Sequence, residues 1–365
     1  MSHHCLDDNL KVRVVPGREL SGDLCARWAE IQCSNPALSS PYFRPEFTQA
    51  VAAVRTDVEV AVLENDAGIQ GFFPFQRGWW GNSQPVAGRL TDFQGLIISP
   101  GVSCDPLQLL QKCGLASWRF DHLLVSQSCF QSHMWTYGES PYIDLSAGFA
   151  NYQAKQRQQN TELKTIARKI RKLEREVGPV RFELSSANPD DLQSLFRWKS
   201  AHYVRTGFRD LLSFAWIREF FTRLPQHQQV EFAGLLSCLY AGDQLVAAHL
   251  GMRSRHVMHW WMPSYDREFA RYSPGLALIY LFAQQAGEQG ITRIDLGQGN
   301  ESFKYRIASG IDTVAEGRVD RRAGTRMFYR TWQVTRDWVR TSPLGGPTER
   351  PLRWIRRMRD WLQFR

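Results

Sequence analysis

Pro263-Ser264-Tyr265-Asp266-Arg267-Glu268-Phe269-Ala270-Arg271-Tyr272-Ser273-Pro274-Gly275 runs straight into the apolar stretch Leu276 to Ala283, and this junction decides how the chain reads. An irregular, charge-bearing segment joins the end of a strand to the start of a helix. Backbone N–H groups and the positive end of the helix dipole gather at such a corner, which suits an anion. Gly275 lets a pyrophosphate approach the main chain, and Ser273 can cap or donate. Pro274 lacks an N–H but fits a first helical turn. Ser273, Gly275, Leu276 and Ala277 would supply the donors. Taken alone, the segment reads first as a capped helix and second as an anion site.

The surroundings of this corner are regular. Before it, the pattern predicts strands over Val180–Leu184, Val230–Tyr240, Gln244–Arg253 and His256–Met262. Between the first two lie two helices. One opens at Asn188-Pro189-Asp190-Asp191 and ends at Gly207; the other is capped by Ser213. After the corner come a helix over Gly275–Glu288, a strand over Ile291–Leu296, a short helix over Glu301–Ala308 and a last strand over Ile311–Asp320. The order β-α-α-β-β-β-α-β-α-β combines a three-stranded meander with a βαβ crossover, which gives a mixed α/β (α+β) sheet with helices on both faces.

Upstream, 151–178 reads as a basic amphipathic helix. Leu163, Ile166, Ile170, Leu173 and Val177 mark its apolar stripe, and Lys164, Arg168, Lys169, Arg171 and Lys172 cover the rest. A solvated face is the plainer reading; if the helix binds an anion, a nucleotide phosphate is the natural one. The block 10–150 is rich in Pro, Gly and aromatics. A helix is expected near Glu46–Val54 and strands over Val58–Leu63, Ile69–Phe75 and Leu96–Ser99. Asp92 is a candidate catalytic group there, although a lone loop aspartate more often serves as a turn or cap.

Composition limits the functional classes. Across 365 residues, 43% hydrophobic and 22% charged exclude a largely disordered chain. The longest apolar run, Leu276 to Ala283, is far short of the roughly 20 residues of a membrane span. No secretory signal is visible at the N-terminus, so a cytoplasmic location is expected. Seven scattered cysteines without a Cys-x-x-Cys pair signal neither a zinc site nor a redox pair, and no metal is expected. His256 and His259 point to opposite faces of a strand and cannot share an ion. The net charge of +9 belongs to the C-terminus: residues 318–365 hold 13 Lys/Arg against 4 Asp/Glu, with Trp332, Trp338, Trp354 and Trp361. The tail 326–365 could pack its tryptophans on the body, lie on an anionic membrane surface or dock on a partner protein. No nucleic-acid module is present, so nucleic acid is the least expected partner.

Residues about 160–325 resemble a GNAT acyltransferase domain, in which acyl-CoA lies between two splayed strands and its pyrophosphate meets the loop before the central helix. That loop matches here as Arg271-Tyr-Ser-Pro-Gly275-Leu-Ala277, one residue longer than the common form and with one glycine. A CelD-like branch, related to the FemAB transferases, resembles the chain more closely. The matching pieces are Gly242-Asp243-Gln244-Leu245-Val246-Ala247-Ala248, Tyr265-Asp266, Tyr272-Ser273-Pro274-Gly275, Asp295-Leu296-Gly297-Gln298-Gly299 and Phe303-Lys304. In the first block they are Ser40-Pro41-Tyr42-Phe43-Arg44-Pro45-Glu46-Phe47 and Asp92-Phe93-Gln94-Gly95. The resemblance implies two GNAT-like halves in tandem: 10–150 as a degenerate half, the helix 151–178, and 179–325 as the acyltransferase domain.

It also implies acetyl-CoA or another acyl-CoA as co-substrate and a carbohydrate or amino-sugar acceptor from an envelope or exopolysaccharide precursor. Arg271, Tyr272, Ser273, Gly275, Leu276 and Ala277 become the donor-binding set. Tyr265, Asp266, Glu301 and Lys304 become candidates for substrate contact. His259 could serve as a base, although a histidine in an apolar strand is more often a satisfied core residue. Asp295 could act in catalysis or simply pair with Arg293. Tyr305 could protonate the leaving thiolate, as a tyrosine on this helix does in many GNAT enzymes. Three rivals stay open. One is a dinucleotide fingerprint at Gly297-Gln298-Gly299, which lacks a second βαβ unit downstream. Another is a non-catalytic GNAT-derived scaffold whose basic tail binds a membrane or a polysaccharide synthase, and the third is a FemAB-like transferase that needs aminoacyl-tRNA.

Overall fold

The computed structural model describes residues 10–299 and 301–322; the tail 326–365 lies outside them. The first half of the chain forms β1 (Lys11–Pro16), α1 (Gly22–Ser34), α2 (Pro45–Ala52), β2 (Val58–Asn65), β3 (Gly68–Arg77), β4 (Asn82–Gln84), β5 (Ile97–Ile98), α3 (Pro106–Lys112), β6 (Ser117–Leu124) and β7 (Met134–Asp144). The second forms α4 (Gly148–Gln159), α5 (Glu162–Glu176), β8 (Val180–Glu183), α6 (Pro189–Thr206), α7 (Ala215–Arg223), β9 (Ala233–Ala241), β10 (Gln244–Arg253), β11 (Val257–Tyr265), α8 (Pro274–Ala286), β12 (Arg293–Asp295), α9 (Ser302–Ile307) and β13 (Gly310–Asp320). The element order of the second half agrees with the sequence reading.

All these strands join one mixed sheet in the order β1-β2-β3-β4-β6-β13-β7-β12-β11-β10-β9-β8, with β5 beside β3. The two halves follow one plan. Each has an antiparallel run closed by a parallel pair, β4 with β6 and β11 with β12. Each then gives its last strand to the other half: β13 lies antiparallel to β6, β7 antiparallel to β12, and the two exchanged strands pair with each other. No point between the halves therefore divides the sheet.

Burial on both faces explains the nearly continuous apolar sequence of β9 and β10. Along β9, Leu235, Leu239 and Ala241 enter the core beneath α8, whereas Leu236, Cys238 and Tyr240 enter the core beneath α6 and α7. That second core crosses between the halves. Tyr42 and Phe47 of the first half meet Trp261 edge-on and tilted, and Trp261 also packs on Phe220 and Phe221.

A local irregularity shapes the middle of the sheet. The β10–β11 register shifts so that Trp260 and Trp261 oppose Gly251 alone. Such a bulge bends a strand. A Cβ on Gly251 would meet the His259 carbonyl at 2.4 Å, so the close approach needs glycine. His249 fills the bulge: it stacks on Trp260 at 3.8 Å and its Nε2 accepts the Trp261 N–H at 3.1 Å. Burial, then His259 and Lys199, hold its pKa well below the ordinary value, so the ring is neutral and can accept.

Three expectations change. The segment 151–178 is two helices, because the Asn160 side chain ends α4 by accepting the Glu162 N–H and donating to the Arg306 carbonyl. Ser213 does not cap α7; its hydroxyl donates to the Asp210 carbonyl within a 3-10 turn, and Phe214 holds the cap position. The strand expected from Val230 begins at Ala233, after a turn in which Gln229 N–H donates to the Phe232 carbonyl. Among the described residues no helix is long and apolar enough to cross a membrane.

The exchange carries a consequence for folding. Residues 10–147 expressed alone lack the antiparallel partner of β6 and both strands that flank β7, so they should show no cooperative thermal transition by circular dichroism and no dispersed amide spectrum. A native-like spectrum from that fragment would contradict the strand exchange.

Candidate functional site

Strands β11 and β12 pair only over Val257–His259 with Arg293–Asp295. Beyond that point β11 bends at its bulge, and among the described residues no strand lies beside its edge on the β12 side. A wedge therefore opens at His259. It ends near the corner that precedes α8.

A carboxylate from the other half closes the narrow end of the wedge. Asp92 Oδ2 lies 2.8 Å from His259 Nε2, and His259 is fully buried while the Asp92 side chain is 21% exposed. Tyr42 covers the imidazole, with ring centroids 4.9 Å apart, and its hydroxyl donates to the Leu90 carbonyl. Gly297, at φ +70°, admits the carboxylate: a Cβ there would meet Asp92 Oδ2 at 2.4 Å. Behind Asp92 stand His122, 3.7 Å away, and Asp121, 3.0 Å from His122 Nδ1. Burial pushes the Asp92 carboxyl up, but His259, His122 and Lys304 outweigh it and hold the pKa below the usual value. Burial pulls His122 down, and Asp121 with Asp92 lifts it above the usual value. The result is an anionic carboxylate backed by imidazoles.

Two lysines flank the opening. Lys304 is buried on α9 and donates to the Gly297 and Gln298 carbonyls at 3.2 and 3.3 Å, with Glu301 at 3.4 Å. Lys199 projects from α6 and donates to the Pro263 carbonyl at 3.3 Å. Burial lowers its pKa to about 8, Glu301 opposing and Lys304 adding to the shift. Asp295 sits in register with His259 and takes a 2.6 Å bond from Arg293. Burial raises its pKa above the ordinary value against the pull of Arg293 and His259.

At the far end, the corner differs in detail from the sequence expectation. Ser273 adopts φ +52°, and its hydroxyl lies 2.5 Å from the Lys169 ammonium instead of capping α8. The Ser273 N–H is spent on the Ala270 carbonyl, and the Leu276 and Ala277 N–H groups both turn to the Ser273 carbonyl. Among the described residues, that leaves Gly275 as the loop amide without a partner. Tyr272 is buried, its hydroxyl donating to Glu176 at 2.9 Å, so it anchors the loop to α5. Arg271 is exposed beside it, 3.8 Å from Glu176. Tyr265 lies against Gly275, and Asp266 caps the next turn by accepting the Glu268 N–H at 3.0 Å. Tyr305 stands apart from His259's neighbours, its hydroxyl 3.5 Å from the Gly299 carbonyl, and Glu301 is exposed.

A cavity of about 470 Å³ adjoins the closed end of the wedge. Asp295, Arg293, Asp312 and Thr313 form one side, and Ser39, Ser40, Phe93 and Ser126 of the first half face them. Ser40 Oγ is buried and has no hydrogen-bond partner among the described residues. No group of three or more His, Cys, Asp or Glu side chains among these residues could hold a metal.

Sequence reasoning set Asp92 aside and missed His122, Lys199 and His249. The signals available were the Asp92-Phe93-Gln94-Gly95 and Ser40-Pro41-Tyr42 pieces, which the fold brings to one place. The lowered Lys199 pKa gives a sign that can be tested. Between about pH 8 and the ordinary lysine value of about 10.4, the unfolded chain binds the extra proton, so stability from this group rises with pH in that window and is lost below it. Lys199→Met should therefore raise Tm at pH 7, with the gain shrinking as pH approaches 10; an equal gain at both pH values would contradict the buried ammonium.

Comparison with known proteins places this geometry. A family model described as "Acetyltransferase (GNAT) domain" matches residues 160–305. A search of curated protein sequences finds no match. Among solved structures, the C-terminal domain of a putative lysylphosphatidylglycerol synthetase from Agrobacterium fabrum is 14% identical, with 88% of this chain and 97% of that chain covered and a TM-score of 0.54. FemX is 11% identical, with 84% and 98% covered and a TM-score of 0.56. A conserved protein of unknown function from Bacteroides thetaiotaomicron is 10% identical, with 80% and 97% covered and a TM-score of 0.51. These likenesses are of fold. Residues 160–305 are thus similar to a GNAT acetyltransferase domain, a likeness that supports reading the protein as an acyltransferase.

Proposed function

We propose that the protein moves an acyl group from an acyl-CoA, acetyl-CoA being the simplest, to a hydroxyl- or amine-bearing acceptor of the carbohydrate or amino-sugar class, in the making of an envelope or exopolysaccharide precursor. The observation that carries this reading is the wedge: a free strand edge runs from an anion-suited corner at one end to a charged carboxylate at the other. The coenzyme's diphosphate meets the Gly275 amide, with Lys169 and Arg271 adding charge at the corner. Its amide-bearing arm lies along β11 as a strand would. The thioester then reaches the level of His259 and Asp92. The acceptor enters through the hydroxyl-lined cavity, where Ser40, Ser39 and Asp295 offer partners to a polyhydroxylated molecule. The CelD-like resemblance supports the same acceptor class.

The chemistry follows from the charges. The acceptor's nucleophile attacks the thioester carbonyl, and Asp92 takes its proton with His259 behind it. Lys199 and Lys304 offset the oxyanion, and the thiolate leaves. His259 is too deeply buried to reach an acceptor itself, so its part is to hold the Asp92 carboxylate in place. A second reading, transfer from aminoacyl-tRNA, draws on the cationic face of α5 and differs in requiring tRNA.

Titration calorimetry tests the donor. CoA and acetyl-CoA should bind, and Gly275→Trp should weaken binding by ~tenfold or more while the fold persists; unchanged affinity would remove the corner from the donor site. Asp92→Asn and Gly297→Ala should each lower turnover by roughly 10²–10⁴-fold with coenzyme affinity preserved, measured as release of free thiol with a glucosamine-type acceptor. Full turnover in Asp92→Asn would exclude the carboxylate as base.

A further inference from the structure

Lys199 stands at the free edge of β11. The register that pairs Ala247 with Tyr265 continues through Asp266, whose N–H donates to the Val246 carbonyl. Alternate residues of an antiparallel strand turn their main-chain groups to opposite sides. Asp266, Ser264 and Met262 therefore face β10, and the Pro263 carbonyl faces away from it, toward the wedge. The Lys199 ammonium donates to that carbonyl at 3.3 Å, so α6 delivers an amine to the edge itself.

This amine is held more loosely than the other lysines nearby. Lys304 has the Gly297 and Gln298 carbonyls and the Glu301 carboxylate, Lys169 has the Ser273 hydroxyl, and Lys172 has Glu176. Among the described residues Lys199 has one carbonyl and no carboxylate ion pair, with the Tyr203 ring 5.5 Å away. The charged and titratable groups that act on it are Glu301 and Lys304 across the opening, His249 of β10 and His202 one turn along α6. Glu301 is the one anion among them, and it is exposed, so water weakens its hold. Burial, with Lys304 adding to it, brings the amine to a pKa of about 8. Roughly a tenth of it is then neutral at pH 7, against about one part in two thousand for a lysine of ordinary pKa. Desolvation beside a second cation is what makes a lysine nucleophilic.

We propose that Lys199 is a self-acylation site, whose neutral amine takes the acyl group of a bound acyl-CoA when no acceptor is present. The inference rests on the reading above, that the donor lies along β11. The Lys199 nitrogen attacks the thioester carbonyl, a C–N bond forms and the C–S bond breaks. The sulfur leaves as a thiolate and takes up the proton that the amine gives away, so the products are an amide and free CoA thiol. To reach the thioester the side chain gives up a single hydrogen bond, at Pro263, and moves along the edge. The amide carries no charge, so an acylated chain loses one of the two charges that offset the oxyanion.

Mass spectrometry of the full chain incubated with acetyl-CoA and no acceptor tests it, with CoA binding followed in parallel by calorimetry. Acetylation blocks tryptic cleavage after Lys199, so the modified site appears as the peptide 198–205 carrying one acetyl group. Lys199 should react ~tenfold or more faster than the exposed Lys155 and Lys164, at a rate that climbs with pH and levels off near pH 8. Gly275→Trp should slow it by ~tenfold or more. The acetyl thioester of N-acetylcysteamine, which lacks the nucleotide, should label Lys199 at least ~tenfold more slowly than acetyl-CoA. If CoA binds and Lys199 reacts no faster than Lys155 and Lys164, the inference is overturned and the donor reading stands. Equal labelling by the two thioesters would overturn it in the same way. Failure of CoA to bind would instead remove the donor reading, and this inference with it.

Discussion

The wedge depends on a single irregularity in pairing. Gly251 faces two residues of β11, its lack of a Cβ lets the His259 carbonyl approach, and the bend that follows takes β11 away from β12 after three paired residues. A strand that leaves its neighbour exposes main-chain groups that must find partners. One of them, the Trp261 amide, is satisfied internally by a neutral buried histidine. In the proposed function the remaining edge takes the donor as if it were a strand.

The exchange of last strands brings the first half to the proposed site. Because β7 lies against β12 and β13 against β6, the first half is hydrogen-bonded to the second beside the wedge. Its loops bring Tyr42 onto the His259 ring and Asp92 onto its Nε2. The first half keeps the strand plan of the second, but its crossover helix α3 has 7 residues against 13 in α8. It contributes shape and a carboxylate, and the second half contributes the edge and the corner.

Local signals made the second half legible. The Asn188 cap, the Gly207 stop, the turn at Gly242-Asp243 and the two-sided apolar strands each report on nearby residues, and each appears where the sequence places it. The corner before α8 was legible as a place but not as a set of donors. Ser273's left-handed backbone and its bond to Lys169, 104 residues away, redirect groups that a sequence pattern assigns to the helix start. The site proper was least legible. The pairing of Asp92 with His259 spans 167 positions and rests on strand exchange, so no periodicity or spacing encodes it. His259 read as a candidate base or a core histidine, and the fold buries it fully. What the pattern could not give was the carboxylate beside it.

Hydrogen–deuterium exchange of the full chain, with and without CoA, tests the central claim most directly. The account predicts slowed exchange on adding CoA in residues 260–265 and at Gly275, with β9 unchanged because it is already buried. Protection elsewhere, with 260–265 and Gly275 exchanging as before, would contradict it.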